Sequence, residues 1–183
     1  MKSTNLLIQE HKLILRALDV LDAISASIDS DATLAAESDI DMLLDFLRWF
    51  ADAHHQAKEE MILFPALKTA AAAQDRPVQH LMLEHRQERL LIEDLEKSLR
   101  LGELSDFASC ANHLSSTLRN HVYKEDRILF EAADSILSPE EDDAVFEQLT
   151  GFETPLDKQV IEKKLAELRS LEWKYLRRLN VIG

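Results

Sequence analysis

One ten-residue phrase occurs twice in the chain. His55-Gln56-Ala57-Lys58-Glu59-Glu60-Met61-Ile62-Leu63-Phe64 and His121-Val122-Tyr123-Lys124-Glu125-Asp126-Arg127-Ile128-Leu129-Phe130 both read H-x-x-K-E-[ED]-x-I-L-F. A shorter phrase, L-x-x-E-H-[KR], precedes each copy, at Leu7 to Lys12 and at Leu81 to Arg86. On a helix, residues i and i+4 lie on one face a turn apart. His55 with Glu59, and His121 with Glu125, therefore point the same way. The chain reads as two helical hairpins, each of the form E-H followed by H-x-x-x-E. Packed about a pseudo-twofold axis, the two halves bring equivalent seams to one centre.

The apolar spacing around these phrases is helical throughout. The first seam is Leu7, His11, Ile14, Leu18, Leu21; the second is Leu44, Leu47, Ala51, His55, Glu59, Ile62. The third, over roughly 77–101, opens at Pro77, runs Val78, Leu81, His85, Glu88, Ile92, Leu95, Leu99, and stops at Gly102. The fourth is Phe107, Ala111, Leu114, Leu118, His121, Glu125, Ile128. With only 3 glycines and 4 prolines in 183 residues, an all-β fold with a turn every few residues is excluded. The expected class is all-α: an up-and-down antiparallel four-helix bundle over residues 1–137, followed by a helical extension over 138–183. Polar stretches around 29–38 and at Gln74-Asp75-Arg76 read as loops, and Pro65 should kink or end the second helix. Ser138-Pro139-Glu140-Glu141 has the form of a capping box opening a fifth helix. A sixth begins at Thr154-Pro155 and carries an apolar stripe from Leu156 to Leu179. That stripe must be covered, by the bundle of the same chain or, as the alternative, in a homodimer.

A net charge of −13 argues against nucleic acid as a partner. Cys110 is the only cysteine, so neither an intrachain disulfide nor a thiolate cluster can form. The apolar stretch before Glu10-His11-Lys12 is too short for a signal peptide, and no apolar run approaches the ~20 residues of a membrane span. A soluble, cytoplasmic protein is expected.

His11, His55, Glu59, His85, His121 and Glu125 are the candidate metal ligands. Burying unpaired carboxylates on an apolar seam costs several kcal/mol, at about the scale of other buried charges. A metal-free core would have to satisfy two of them and four imidazoles by chance. Each glutamate can bridge two ions while its histidine binds one. A set of four imidazoles and two carboxylates suits Fe, Mn, Co or Zn and not Ca or Mg. Two divalent ions exceed the charge of two carboxylates, so a bound hydroxide, oxide or other anion is expected. Six side chains also leave at least one coordination position open. His54 reads as a flanking residue, with a fifth ligand as the alternative; His80 and His113 read as surface. Lys58 and Lys124 read as snorkelling side chains, and Glu10 and Glu84 as solvated ion-pair partners, with a role in orienting the histidine beside each as the alternative. Cys110, Trp49, Phe50, Phe64 and Phe130 read as packing residues. No further inward acid, tyrosine or cysteine is assigned as a proton or electron relay.

The ordered set His11, His55-x-x-x-Glu59, His85, His121-x-x-x-Glu125, with Glu59-Glu60-x-x-Leu63-Phe64-Pro65, resembles the hemerythrin-like (HHE cation-binding) family over roughly residues 3–137. The resemblance implies a non-haem di-iron centre of two iron ions per chain, oxo- or hydroxo-bridged, with Zn or Mn as substitutes. It also implies bridging carboxylates at Glu59 and Glu125 and terminal imidazoles at the four histidines. The chain departs from the oxygen-carrying members, which have a histidine where Leu81 stands and an aspartate where Glu125 stands. It is closer to the bacterial branch linked to sensing of oxygen, nitric oxide or iron, peroxide handling and iron–sulfur repair. The expected function is binding or sensing of a small ligand (oxygen, nitric oxide, peroxide) or of iron itself. The alternative is a di-iron enzyme decomposing peroxide or acting in nitrosative and oxidative stress. A ferritin-like oxidase would use more carboxylates and Glu-x-x-His pairs.

Overall fold

In the computed structural model, residues 1–29, 37–152 and 158–177 are described. They form six helices and, among the described residues, no strand. Helix α1 is Lys2–Asp29. Helix α2 runs without a break over 37–70 and α3 is Asp75–Leu101. Helix α4 runs over 104–136, α5 is Pro139–Thr150 and α6 is Lys158–Tyr175. The first four pack as a ring: each touches its neighbour in sequence, and α4 closes back on α1. The expected loop around 29–38, the Thr154-Pro155 helix start and Leu179 fall wholly or partly outside the described residues. Gln74-Asp75-Arg76 is not a loop: α3 begins at Asp75, two residues before Pro77, directly after a single 3₁₀ turn at Ala72–Gln74. Gly102 ends α3 with φ 70°, a left-handed conformation that glycine adopts without a Cβ clash.

The second and fourth helices depart from the α-periodic reading at the repeated phrase. Pro65 does not end α2, which continues to Ala70. Ile128 is 62% exposed and Ile62 only partly buried, whereas Leu63 and Leu129 are buried. Both helices turn π-helical at the repeated phrase, at Glu59–Leu63 and Glu125–Leu129. There the Phe64 N–H donates to the Glu59 carbonyl and the Phe130 N–H to that of Glu125, each five residues back. A π turn holds more residues than an α turn, so the face presented to the core moves on by one position. Proline is not the common cause, because Glu131 stands where the second copy would need it.

The core is two apolar layers. One joins Ile14, Leu18, Leu21, Leu44, Leu47, Ile92, Leu95, Phe107, Leu114 and Leu118 with neighbours from the same helices. The other joins Leu7, Leu63, Phe64, Leu67, Val78, Leu81, Leu129, Phe130 and Ala133. The inward histidines lie between them: His11 separates Leu7 from Ile14, and His85 separates Leu81 from Ile92. The later helices complete these layers. Helix α5 starts with the expected capping box, Ser138 and Glu141 each accepting from the other's backbone N–H. It places Val145 and Leu149 in the second layer, and its Asp142 accepts from the backbone N–H groups of Lys2 and Ser3 and from the Ser3 hydroxyl. Helix α6 turns Leu168 and Leu171 into the first layer, and its Lys174 and Tyr175 both reach Asp39 of α2. Among the described residues, no helix is long and apolar enough to cross a membrane.

Candidate metal centre

The structure brings all six candidate residues into the space between the layers, each of them nearly or wholly inaccessible to solvent. They form two overlapping groups. His11, His55, Glu59 and Glu125 make one; Glu59, His85, His121 and Glu125 make the other. Within each group one ligand atom per residue lies inside 4.8 Å of all the others. Both carboxylates belong to both groups, as bridging requires. His11 Nε2 and His121 Nε2 each lie 3.2 Å from Glu125 Oε2. His55 Nε2 is 3.4 Å from Glu59 Oε1, and His85 Nε2 is 3.5 Å from Glu59 Oε2. The imidazole pairs match across the centre: ring centroids are 4.5 Å apart for His11 and His55, and 4.7 Å for His85 and His121, at nearly equal interplanar angles.

What surrounds the histidines accounts for the rest of the repeated phrases. Every Nδ1 faces a carboxylate: His55 meets Glu10 at 2.9 Å, His121 meets Glu84 at 3.0 Å, His11 meets Asp126 at 2.7 Å and His85 meets Glu60 at 2.8 Å. Lys58 donates to Glu10 at 2.5 Å and Lys124 to Glu84. Phe130 stacks on His11 and Phe64 on His85, so each phenylalanine packs on the histidine of the opposite half. The acid after each bridging glutamate likewise crosses over, Glu60 to His85 and Asp126 to His11. These contacts correct two expectations and add to a third. Glu10 is buried and Glu84 only partly exposed, and each serves the histidine of the facing helix rather than the one beside it. Lys58 is a buried ion-pair partner and not a snorkelling chain. Phe64 and Phe130 pack on the imidazoles as well as in the core. His54 turns away from both groups, to Glu10 and Lys58. His80 and His113 are exposed, His80 reaching Glu84 from outside.

The donor chemistry fits a cation. With Nδ1–H given to a carboxylate, a neutral imidazole presents an unprotonated Nε2 inward. In the metal-free protein burial is outweighed by the neighbouring carboxylates, which raise His11 and, far more, His121, so a proton stands where a cation would. His85 Nε2 and His121 Nε2 are 3.0 Å apart; two lone pairs that close repel unless a proton or a cation lies between them. His11 Nε2, His55 Nε2 and all four oxygens of Glu59 and Glu125 are buried without a hydrogen-bond partner. Such a set of orphaned acceptors converging on one centre is costly in a finished core. Electrostatics show the same tension. Burial and the charge of Glu125 push the Glu59 carboxyl far up, while Glu125, despite its burial, is held low by His121 and His11. Burial, helped by neighbouring His11, lowers His55 to about 4. Outside the ring of ligands Glu84 and Glu60 are firmly ionised. The His121 hydrogen bond, outweighing burial and joined by Lys124, holds Glu84 at about 2. Burial opposes the charge of Glu60, but His85 and Arg89 still hold it at about 2.

A family model for the hemerythrin HHE cation binding domain matches residues 2–133. The chain belongs to this hemerythrin HHE family. The match covers α1 to α4 and all six candidate residues, so this hemerythrin-like chain is a metal-binding protein built on a helical bundle. Among curated proteins no match is found.

The sequence assigns no role to Glu60, Asp126 or Glu88, and Glu88 is the one that no repeated contact explains. Glu88 was placed on the third seam and given no role, yet its side chain is buried and lies 3.8 Å from His121 Nδ1. Gln56 Nε2 donates to its Oε2 at 2.6 Å, and its Oε1 has no partner. Burial raises its carboxyl to about 7. The signal was in the repeat: three residues after His11 stands Ile14, and three after His85 stands Glu88.

Proposed function

We propose that the chain is a non-haem di-iron protein that binds or senses a small ligand such as oxygen, nitric oxide or peroxide. The observation carrying this reading is the pair of four-residue groups that share both carboxylates. Glu59 and Glu125 would bridge two ions; His11 and His55 would complete one position, His85 and His121 the other. Bound iron would supply redox chemistry and a coordination site for the small ligand. The chain's own residues would do the remaining work. Glu10, Glu60, Glu84 and Asp126 fix each imidazole tautomer and ring angle. Apolar layers above and below keep bulk water from the centre. Leu81 packs in the second layer, so six side chains serve two ions and room remains for an added ligand.

Glu88 gives a turnover reading its one specific support. It is a buried carboxyl beside a candidate ligand, where general acid–base chemistry needs one. A peroxide-consuming enzyme is therefore the second reading. Metal analysis and absorption spectroscopy of protein from iron-replete cells test the site: about two irons per chain are expected, with near-ultraviolet charge-transfer absorption. Anaerobic reduced protein mixed with oxygen, nitric oxide or peroxide then separates the readings. Stoichiometric spectral change favours binding, and sustained peroxide consumption favours the enzyme. Protein with no metal and no spectral response would remove both.

A further inference from the structure

The two sides of the centre differ in their surrounding charge, and the difference is concentrated in one residue. On the His11–His55 side stand Glu10 and Asp126, with Lys58 as the cation. On the His85–His121 side stand Glu60 and Glu84, with Arg89 and Lys124 as cations; Arg89 also bonds Asp52 at 2.6 Å. Each side so far carries one surplus negative charge. Glu88 then adds a carboxyl to the second side alone, with a neutral hydrogen-bond partner, Gln56, and no lysine or arginine paired with it among the described residues; a dication at that position would hold it ionised. Its counterpart Ile14 belongs to the apolar core, and the counterpart of Gln56 is Val122.

The cations differ as well. Lys58 is buried, 5% exposed in its side chain, and lies within the low-dielectric interior of the first side. Lys124 is 35% exposed and Arg89 31%, so solvent screens much of their charge. A dication on the first side meets a buried ammonium two bonded contacts away, through Glu10 and His55. A dication on the second side meets an additional buried carboxylate close behind His121. Both differences favour the same side.

We propose that the two metal positions are intrinsically unequal, the His85–His121 position filling first, and that Glu88 is the positioning residue that sets the order. This rests on the two-metal reading above. Glu88 does so through His121: with Glu84 it places two carboxylates near one Nδ1–H. That strengthens the donor power of the opposite nitrogen and adds attraction for the ion it faces. The arrangement suits a protein that keeps one ion resident and exchanges the other, or that takes two different divalent metals.

The experiment is stepwise titration of the metal-free, full-length protein with Co2+ under anaerobic conditions, followed by visible absorption, calorimetry and proton NMR. Two binding steps separated by about tenfold or more in affinity are expected, the scale at which groups behind metal ligands act. At one equivalent, paramagnetically shifted Nδ1–H signals of His85 and His121 should precede those of His11 and His55. In Glu88→Gln, which keeps the side-chain shape, the first step should weaken by about tenfold and merge with the second. Two equal steps in the unmodified protein, or His11 and His55 signals appearing first, overturn the proposal. So does folded Glu88→Gln with its two steps still apart. Should that variant not fold, Glu88→Met, which also removes the carboxylate at similar length, is read the same way through the order of the NMR signals. Protein that binds no Co2+, Fe2+ or Zn2+ at all instead removes the two-metal reading itself.

Discussion

The half of the centre built by α1 and α2 and the half built by α3 and α4 use the same phrase, and they differ in what lies behind the ligands and in the π-helical stretch Leu47–Gln56, which has no counterpart in α4. In the first half a buried lysine neutralises Glu10 and an isoleucine occupies the third position after the histidine. In the second half the lysine reaches solvent and a glutamate occupies that position. Four Nδ1-to-carboxylate contacts and two stacked phenylalanines are common to both. The common part holds the imidazoles; the part that differs sets the field in which a cation would sit. Duplication thus accounts for the geometry of the site, and departure from duplication for any inequality within it.

The largest effect should come from residues that belong to neither half alone. Glu59→Gln or Glu125→Gln removes a carboxylate common to both groups, so each should lower metal content toward zero ions per chain. His11→Ala or His85→Ala touches one group only and should leave close to one. Metal analysis on the purified variants decides. If a single glutamine substitution left one tightly held ion, the carboxylates would not bridge and the halves would be independent sites. Thermal melts should follow the metal content, because ions that bind only the folded state stabilise it.

Next in size is Lys58→Met. It leaves the Glu10 carboxylate buried, with only His54 and His55 to stabilise it. Removing one partner of a buried ion pair costs about 3–5 kcal/mol. Urea unfolding of the metal-free protein should show a loss of that order. The double variant Lys58→Met, Glu10→Gln should recover part of it. A loss below about 1 kcal/mol, the range of exposed pairs, would mean that the first half tolerates an unpaired carboxylate and that the two lysines are equivalent after all.

The third effect concerns pH and the second half only. Burial raises Glu88 to about 7, against an ordinary 4.5. In the unfolded chain it ionises from about 4.5 upward, while in the metal-free fold it keeps its proton until about 7. Across that window the folded state binds more protons, so stability falls as pH rises. The loss is at most about 3 kcal/mol. Glu84 and Glu60, both held at about 2, act in the other direction. Their contribution is present above about 4.5 and is lost as pH falls toward 2. Melts of metal-free Glu88→Gln should therefore be flatter between pH 4.5 and 7 than those of the unmodified protein, and unchanged in slope below 4.5. Parallel curves across the upper window would show that Glu88 does not distinguish the halves in this way.

Most of the fold and the six inward residues were legible because helical periodicity and the doubled i, i+4 pairs are both local signals. What lay beyond reading was the crossing between halves. That Glu60 reaches His85 and Asp126 reaches His11 depends on how two hairpins interlock, and no spacing within one helix encodes it. The π turns were hidden for a related reason. A seam drawn at α periodicity put Ile62 and Ile128 inside, and only the five-residue hydrogen bonds at Glu59 and Glu125 reveal the shifted face. Glu88 was visible on its seam but looked like one polar residue in an apolar row. Aligned with Ile14 in the other copy of the repeat, it marks the place where the copies diverge.

The smallest effect should come from Lys124→Met, and its smallness sharpens the comparison with Lys58. Lys124 makes the same kind of contact, to Glu84, and Glu84 holds His121 as Glu10 holds His55. Glu84, however, keeps other partners: His121 donates to it, and exposed His80 lies 3.0 Å away. Water also reaches this side, so losing the ammonium leaves the carboxylate solvated rather than stranded. A cost of about 0.5–1 kcal/mol is expected. It should shrink further in 1 M salt, where the screening length falls to roughly 3 Å, whereas the Lys58 effect should persist. Urea unfolding of both variants at low and high salt provides the four numbers needed. Equal losses with equal salt dependence would show that burial does not separate the two lysines, and the inequality of the halves would then rest on Glu88 alone.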